Sequence, residues 1–179
     1  DLASPTITDS TFTLGVDGNG YDAAAVRAYG AGAGILGTMV IRDSVFTGST
    51  EPDCGQQGGG RSLLYVESSY VDFSNLDVKD NAYGLFLKQS SGSLTNSTIN
   101  VKCSGIDTNS HKVTGTINHT LLVNDNTITT ADGSGITAYD GAIVEANRNT
   151  ISGAAEGSGF GIRSSVVTAN NNIIGPIGG

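Results

Sequence analysis

The chain has 179 residues, of which 26 are Gly and only three are Pro; it has no Trp, a formal charge of −8 and a pI near 4.4. Nine Lys and Arg in all, scattered along the chain, form no basic patch, which excludes nucleic acid and an anionic membrane surface as partners. A hydrophobic share of 37% excludes a disordered chain, and apolar clusters such as LLYV at 63–66 are too short for a transmembrane segment. Asp1 opens directly into polar sequence without a signal-peptide pattern, which reads as a mature or excised N-terminus.

In chain order, one short phrase returns and closes each time on an apolar residue: Phe12, Phe46, Val78, Ile99, Ile128, Ile151 and Ile174. These anchors are 34, 32, 21, 29, 23 and 23 residues apart, so the core period is in the low twenties, with loops inserted in the longer copies. Five residues before each anchor stand Ile7, Ile41, Phe73, Leu94, Val123, Ala146 and Ala169. Seven before stand Pro5, Met39, Val71, Gly92, Leu121, Val144 and Val167. Both columns share the anchors' parity and alternate with mainly polar positions, the signature of strands with one buried face.

A second strand precedes each new phrase: VRAY at 26–29, LYVE at 64–67, LFLK at 85–88, IDTN at 106–109, ITAY at 136–139 and IRSS at 162–165. Its inward pairs are Val26/Ala28, Leu64/Val66, Leu85/Leu87, Ile106/Thr108, Ile136/Ala138 and Ile162/Ser164. Gly84, Gly105, Gly135 and Gly161 mark corners before four of these strands. Two residues before the anchors stand Ser10, Ser44, Leu76, Ser97, Asn126, Asn149 and Asn172. A polar residue at a recurring corner satisfies backbone groups that the bend leaves unpaired. Stacked copies, Ser97, Asn126, Asn149 and Asn172 above all, predict a structural ladder along the axis.

Short strands, corners, a fixed period and no helical pattern predict an all-β solenoid of about seven coils. The phrase GITAYDGAIVEANRNTISG (135–153), with LYVESSYVDFSNLDVKD (64–80) and GLFLKQSSGSLTNSTIN (84–100), resembles the coils of pertactin-like autotransporter passengers. Corners such as NDNTI (124–128) and ANNNII (169–174) are similar to those of pectate-lyase-like proteins. The resemblance implies a right-handed parallel β-helix forming one domain over 1–179, a module of a longer protein, extracellular or at the cell surface. Neither end carries an obvious cap, so self-association through the solenoid ends is expected.

The resemblance also implies where catalytic residues would stand. Pectin-active hydrolases of this fold carry NTD, DD, GHG and RIK motifs, and none occurs here; His111 and His119 lack the GHG context. Asp72, Asp77 and Asp107 are the carboxylates left for glycoside chemistry and read as isolated surface charges. The expectation is therefore a non-catalytic adhesin or structural stalk, recognising a host-surface protein or glycan through the inserted loops 13–25, 30–37, 47–61 and 109–120. The alternative is a polysaccharide-binding or polysaccharide-processing module.

The outward columns of the second strand supply the candidate ligand-binding residues. One column holds Arg27, Tyr65, Phe86, Asp107, Thr137 and Arg163. Its neighbour holds Tyr29, Glu67, Lys88, Asn109, Tyr139 and Ser165. Tyr65 and Phe86 should stack on adjacent coils with Glu67 and Lys88 beside them, either as a ligand surface or as plain cross-strand packing. Thr-rich outward pairs at the anchor strand, such as Thr127/Thr129, admit ice binding as a minor reading. VDGNGYD (16–22) offers Asp17, Asn19 and Asp22 to calcium; otherwise no cofactor is expected, and one Met, two His and two Cys show no spacing for copper or zinc. Cys54 and Cys103 are either one disulfide or two free thiols. NST (96–98) and NHT (118–120) match the glycosylation acceptor pattern.

Overall fold

A computed structural model describes residues 4–14, 24–30, 38–48, 54, 62–109, 120–153 and 158–175. The first coil is β1 (Thr6–Thr8), β2 (Thr11–Thr13) and β3 (Val26–Tyr29); the second is β4 (Met39–Arg42), β5 (Val45–Thr47) and β6 (Ser62–Glu67). Next come β7 (Tyr70–Ser74), β8 (Asp77–Lys79) and β9 (Tyr83–Lys88), then β10 (Ser91–Thr95), β11 (Thr98–Val101) and β12 (Ser104–Asn109). The fifth coil is β13 (Thr120–Asn124), β14 (Thr127–Thr130) and β15 (Ile136–Tyr139). The sixth is β16 (Ile143–Asn147), β17 (Thr150–Gly153) and β18 (Phe160–Arg163), and β19 (Val166–Asn170) and β20 (Ile173–Ile174) begin a seventh.

Every third strand pairs in parallel, which builds two seven-stranded sheets and one six-stranded sheet. The molecule is a right-handed parallel β-helix. The anchors form one in-register column from Phe12 through Phe46, Val78, Ile99, Ile128 and Ile151 to Ile174. The column from Ile7 to Ala169 is likewise continuous along the first sheet. These columns and the inward residues of the third sheet make one core. Ile41, Phe46, Phe73, Leu85, Ile99 and Ile128 within it are fully buried. Each such side chain contributes about 1.5–3 kcal/mol before its entropy is subtracted.

Two corners repeat along the axis. Between the first and second sheets, Asp9, Asp43, Asn75, Asn96, Asp125, Arg148 and Asn171 all have φ between 50° and 61°. Asp and Asn tolerate this left-handed conformation better than other side-chain-bearing residues, which explains six of the seven identities. A second left-handed column, Gly30, Ser68, Gln89, Asp140 and Ser164, turns the chain from the third sheet back to the first.

The residue after the first bend carries the ladder. The backbone N–H groups of Ser97, Asn126 and Asn149 donate to the side-chain oxygens of Asn126, Asn149 and Asn172, one coil on, at 2.9, 3.0 and 2.9 Å. Asn126 Nδ2 and Asn149 Nδ2 add side-chain bonds to the next Asn. Leu76 interrupts this polar column and packs into the core instead. A second Asn ladder runs on the outer face of the first sheet, where Asn170 donates to Asn147 and Asn147 to Asn124, each at 3.0 Å.

The glycine corner differs from expectation in its last coil. Ile136 pairs with Phe160 and Ala138 with Ile162, so the inward pair is Phe160/Ile162 rather than Ile162/Ser164. The glycine equivalent to Gly135 is therefore Gly159, not Gly161. These glycines are required by crowding rather than by φ: a Cβ on Gly105 would lie 2.6 Å from both the Gly135 carbonyl oxygen and Ile128 Cγ2. The third-sheet strands also start earlier than expected, at Ser62, Tyr83 and Ser104.

Candidate functional site

The outer face of the third sheet gathers most of the candidate ligand-binding residues. Arg27, Tyr65, Phe86, Asp107 and Thr137 share one column, and Tyr29, Glu67, Lys88, Asn109 and Tyr139 the next. The two-residue shift in β18 moves Arg163 out of the first column and into the second, beside Tyr139, and leaves Gly161 opposite Thr137.

Tyr65 and Phe86 stack with centroids 5.4 Å apart and planes 22° from parallel. Tyr29 meets Tyr65 at 5.6 Å, and the Arg27 guanidinium lies 5.3 Å from the Tyr65 ring centre, within cation–π range. Tyr65 OH donates to Glu67 Oε2 at 2.8 Å, and Lys88 Nζ pairs with Glu67 Oε1 at 2.8 Å. The Tyr65 hydroxyl is pushed up to about 12, first by burial and then by its bond to Glu67. Lys88 holds the Glu67 carboxyl below its ordinary value. Rings stacked along the axis cover each other's faces, and Phe86 is only 7% exposed despite pointing outward. This strip is thus largely cross-strand packing at Tyr65 and Phe86, with Tyr29 exposed at its N-terminal end.

One coil further the chemistry changes. Asp107 follows Phe86 in its column and Asn109 follows Lys88. Ser104 Oγ donates to Asp107 Oδ1 at 2.6 Å, and Thr137 bonds the same carboxylate. Burial raises the Asp107 carboxyl above its ordinary range against these two hydroxyls. Asn109 is 7% exposed, and among the described residues its Oδ1 has no hydrogen-bond partner. Phe86 and Tyr139 contact each other at 6.5 Å although β9 and β15 lie on opposite sides of β12. Strands two apart are separated by about 9.6 Å, so the two rings lean toward each other across Asp107 and Asn109. Burial and the nearby Asp107 carboxylate push the Tyr139 hydroxyl well above its ordinary value. Asp107 is thus not the isolated surface charge expected from the sequence, which did not single out Asn109 at all, because the burial of both comes from rings on the coils to either side.

The other candidates separate. Cys54 and Cys103 form a disulfide, packed with Ala82 and Tyr83, whose hydroxyl donates to the Cys54 carbonyl at 3.1 Å. Asp72 and Asp77 are not isolated charges: Arg42 pairs with Asp72 and Lys79 with Asp77. Thr98, Thr127 and Thr150 line up on the second sheet's outer face, and the Asp77–Lys79 pair interrupts that array one coil earlier. Asp17, Asn19 and Asp22, both histidines and most of the four inserted loops lie outside the described residues.

Over residues 15–176 the chain matches the family described as NosD, periplasmic copper-binding protein. The chain belongs to the NosD family. No curated protein and no solved structure matches it. The resemblance to autotransporter passengers therefore extends to the fold. Copper takes thiolate, thioether and imidazole donors. In this NosD-family chain both cysteines are consumed in the disulfide, and Met39, the sole methionine, is 2% exposed inside the core. Among the described residues no group of three or more His, Cys, Asp or Glu side chains could hold a metal, so the described residues do not fit a copper centre.

Proposed function

We propose that this chain is a non-catalytic recognition scaffold of an exported β-helix, presenting a binding surface on the outer face of its third sheet. The observation that carries the reading is the break in that face at β12. A polar pair with an unmet acceptor replaces a continuous aromatic and ion-paired strip there. A repeat that carries only packing has no need of a buried, unsatisfied polar group. The disulfide and the periplasmic description of the family both support a compartment outside the cytoplasm. Ligation by the sulfur donors is not supported, since Cys54, Cys103 and Met39 are all engaged in the structure.

The test immobilises the intact chain and screens glycans and purified surface proteins for saturable binding, with uronate release from acidic polysaccharides and copper uptake by equilibrium dialysis measured alongside. Saturable binding weakened by Lys88→Ala or Asn109→Ala, without uronate release, is expected. Turnover of the polysaccharide would overturn the reading. So would stoichiometric copper uptake with no saturable partner.

A further inference from the structure

The outer face of β12 has a composition that selects a ligand. It carries two acceptors, the Asp107 carboxylate and Asn109 Oδ1, two residues apart on one strand face. The Phe86 and Tyr139 rings lean together beside this pair, and Asp107 and Tyr139 both keep some solvent exposure. Among the described residues no Lys or Arg forms a salt bridge with Asp107; Lys88, the cation next to Asn109 in register, is paired with Glu67 at 2.8 Å. An ionised carboxylate beside aromatic rings, with only hydroxyls as partners among the described residues, is costly unless a cation compensates it. A neutral sugar would satisfy Asn109 but leave that charge uncompensated. A metal ion would find one carboxylate and one amide oxygen, far short of the six to eight oxygens that calcium takes.

We infer that this polar pair binds a primary ammonium group, with Asp107 as its counter-ion, Asn109 Oδ1 as its second acceptor and the Phe86 and Tyr139 rings beside the cation. The inference rests on the recognition reading above and names the chemistry of the ligand. An ammonium offers three donors and a full positive charge, which two acceptors and two π faces complement together. Among the described residues, the groups facing Asp107 are the Ser104 hydroxyl on its own strand, Phe86 on β9 and Thr137 with Tyr139 on β15, while Lys88 and its partner Glu67 lie in the neighbouring column. Tyr139 stays neutral at any ordinary pH, so ammonium binding strengthens as pH rises through the Asp107 titration.

The experiment is an NMR titration of the whole chain with n-butylammonium, with n-butanol as the neutral isostere. Saturable shifts confined to β9, β12 and β15 are expected with the amine and absent with the alcohol. Asp107→Asn should weaken binding by roughly tenfold or more while melting no lower than the parent. Asn109→Asp, which adds a second charge in the same volume, should tighten it. Nα-acetyl-lysine methylamide and glucosamine then distinguish a side-chain amine from an amino sugar as the natural carrier, and saturation by either supports the assignment. Equal shifts with n-butanol, undiminished binding by Asp107→Asn, or no saturable shift with any amine would overturn it. If the recognition screen finds a partner whose binding ignores Asp107→Asn, the scaffold reading stands and the ammonium reading falls.

Discussion

Replacing Asn149 by Ala removes the middle rung of the inner ladder. Asn149 is fully buried; its Oδ1 accepts from Asn126 N and Asn126 Nδ2, both at 3.0 Å, and its Nδ2 donates to Val123 O at 2.8 Å and to Asn172 Oδ1 at 2.9 Å. The consequences are unequal. Asn126 Nδ2 keeps the carbonyls of Leu94 and Asn124, and Asn172 Oδ1 keeps the Asn149 backbone N–H. The Asn126 backbone N–H loses its side-chain acceptor inside a residue that is 1% exposed. An orphaned buried donor costs about 1–3 kcal/mol and each exchanged bond about 0.5–1.5, so the variant should lose roughly 3–5 kcal/mol. With an m-value of about 2 kcal/mol/M, the urea midpoint followed by circular dichroism falls by roughly 1.5–2.5 M. Asn100→Ala, on the exposed outer face of β11, is the control and should stay within about 0.5 kcal/mol of the parent. A midpoint for Asn149→Ala within about 0.3 M of that control would refute the ladder as a source of stability.

Gly105→Ala places a Cβ 2.6 Å from a backbone carbonyl that cannot move aside, whereas Gly153→Ala meets its nearest atoms at 3.2 Å; thermal melts should show a clear loss for the first and little change for the second. The Cys54–Cys103 bond closes a separation of 49 residues, and the double Ser variant should lose about 4 kcal/mol by the chain-entropy account, read as a lower urea midpoint that dithiothreitol no longer shifts. Arg148→Asn gives up an exposed ion pair with Asp125 but puts Asn where φ is 57°. The melt should be no lower than the parent's. Because Arg148 depresses the Asp125 carboxyl, the pair supports the fold above the ordinary Asp range and fades as pH falls through the lowered value; NMR titration should show Asp125 rising toward its ordinary value in the variant. Tyr65 behaves oppositely: its raised hydroxyl supports the fold fully below pH 10.0 and loses that contribution as pH climbs through about 12, and ultraviolet titration of Glu67→Gln should bring the transition down.

The periodic core was readable because a side chain's face alternates with period two, so each anchor column announces itself by parity. That same rule explains the misplaced strand. A one-residue slip turns the buried face outward and is easily detected, but a two-residue slip keeps parity intact. Phe160/Ile162 and Ile162/Ser164 fit the pattern alike, and Gly159 and Gly161 both offer a plausible corner. Only the pairing of Ile136 with Phe160 decides between them, and with it the column of Arg163. The left-handed bend is written three residues before each anchor as a column of Asp and Asn that Arg148 interrupts, so residue type alone does not reveal its conformational cause.

The polar pair on β12 was harder still, because nothing local marks it. Asp107 and Asn109 occupy outward positions, which a sequence argument assigns to solvent. Their burial is made by Phe86 one coil before and Tyr139 one coil after, residues 21 before Asp107 and 30 beyond Asn109 in the chain. In a solenoid, lateral neighbours come from adjacent coils rather than adjacent sequence, so a site is written across the repeat and not within one copy. A coil whose outward residues break the column on either side is therefore the place where such a fold departs from pure scaffold. Here that coil carries a carboxylate with no cation, and an amide oxygen with no donor, among the described residues.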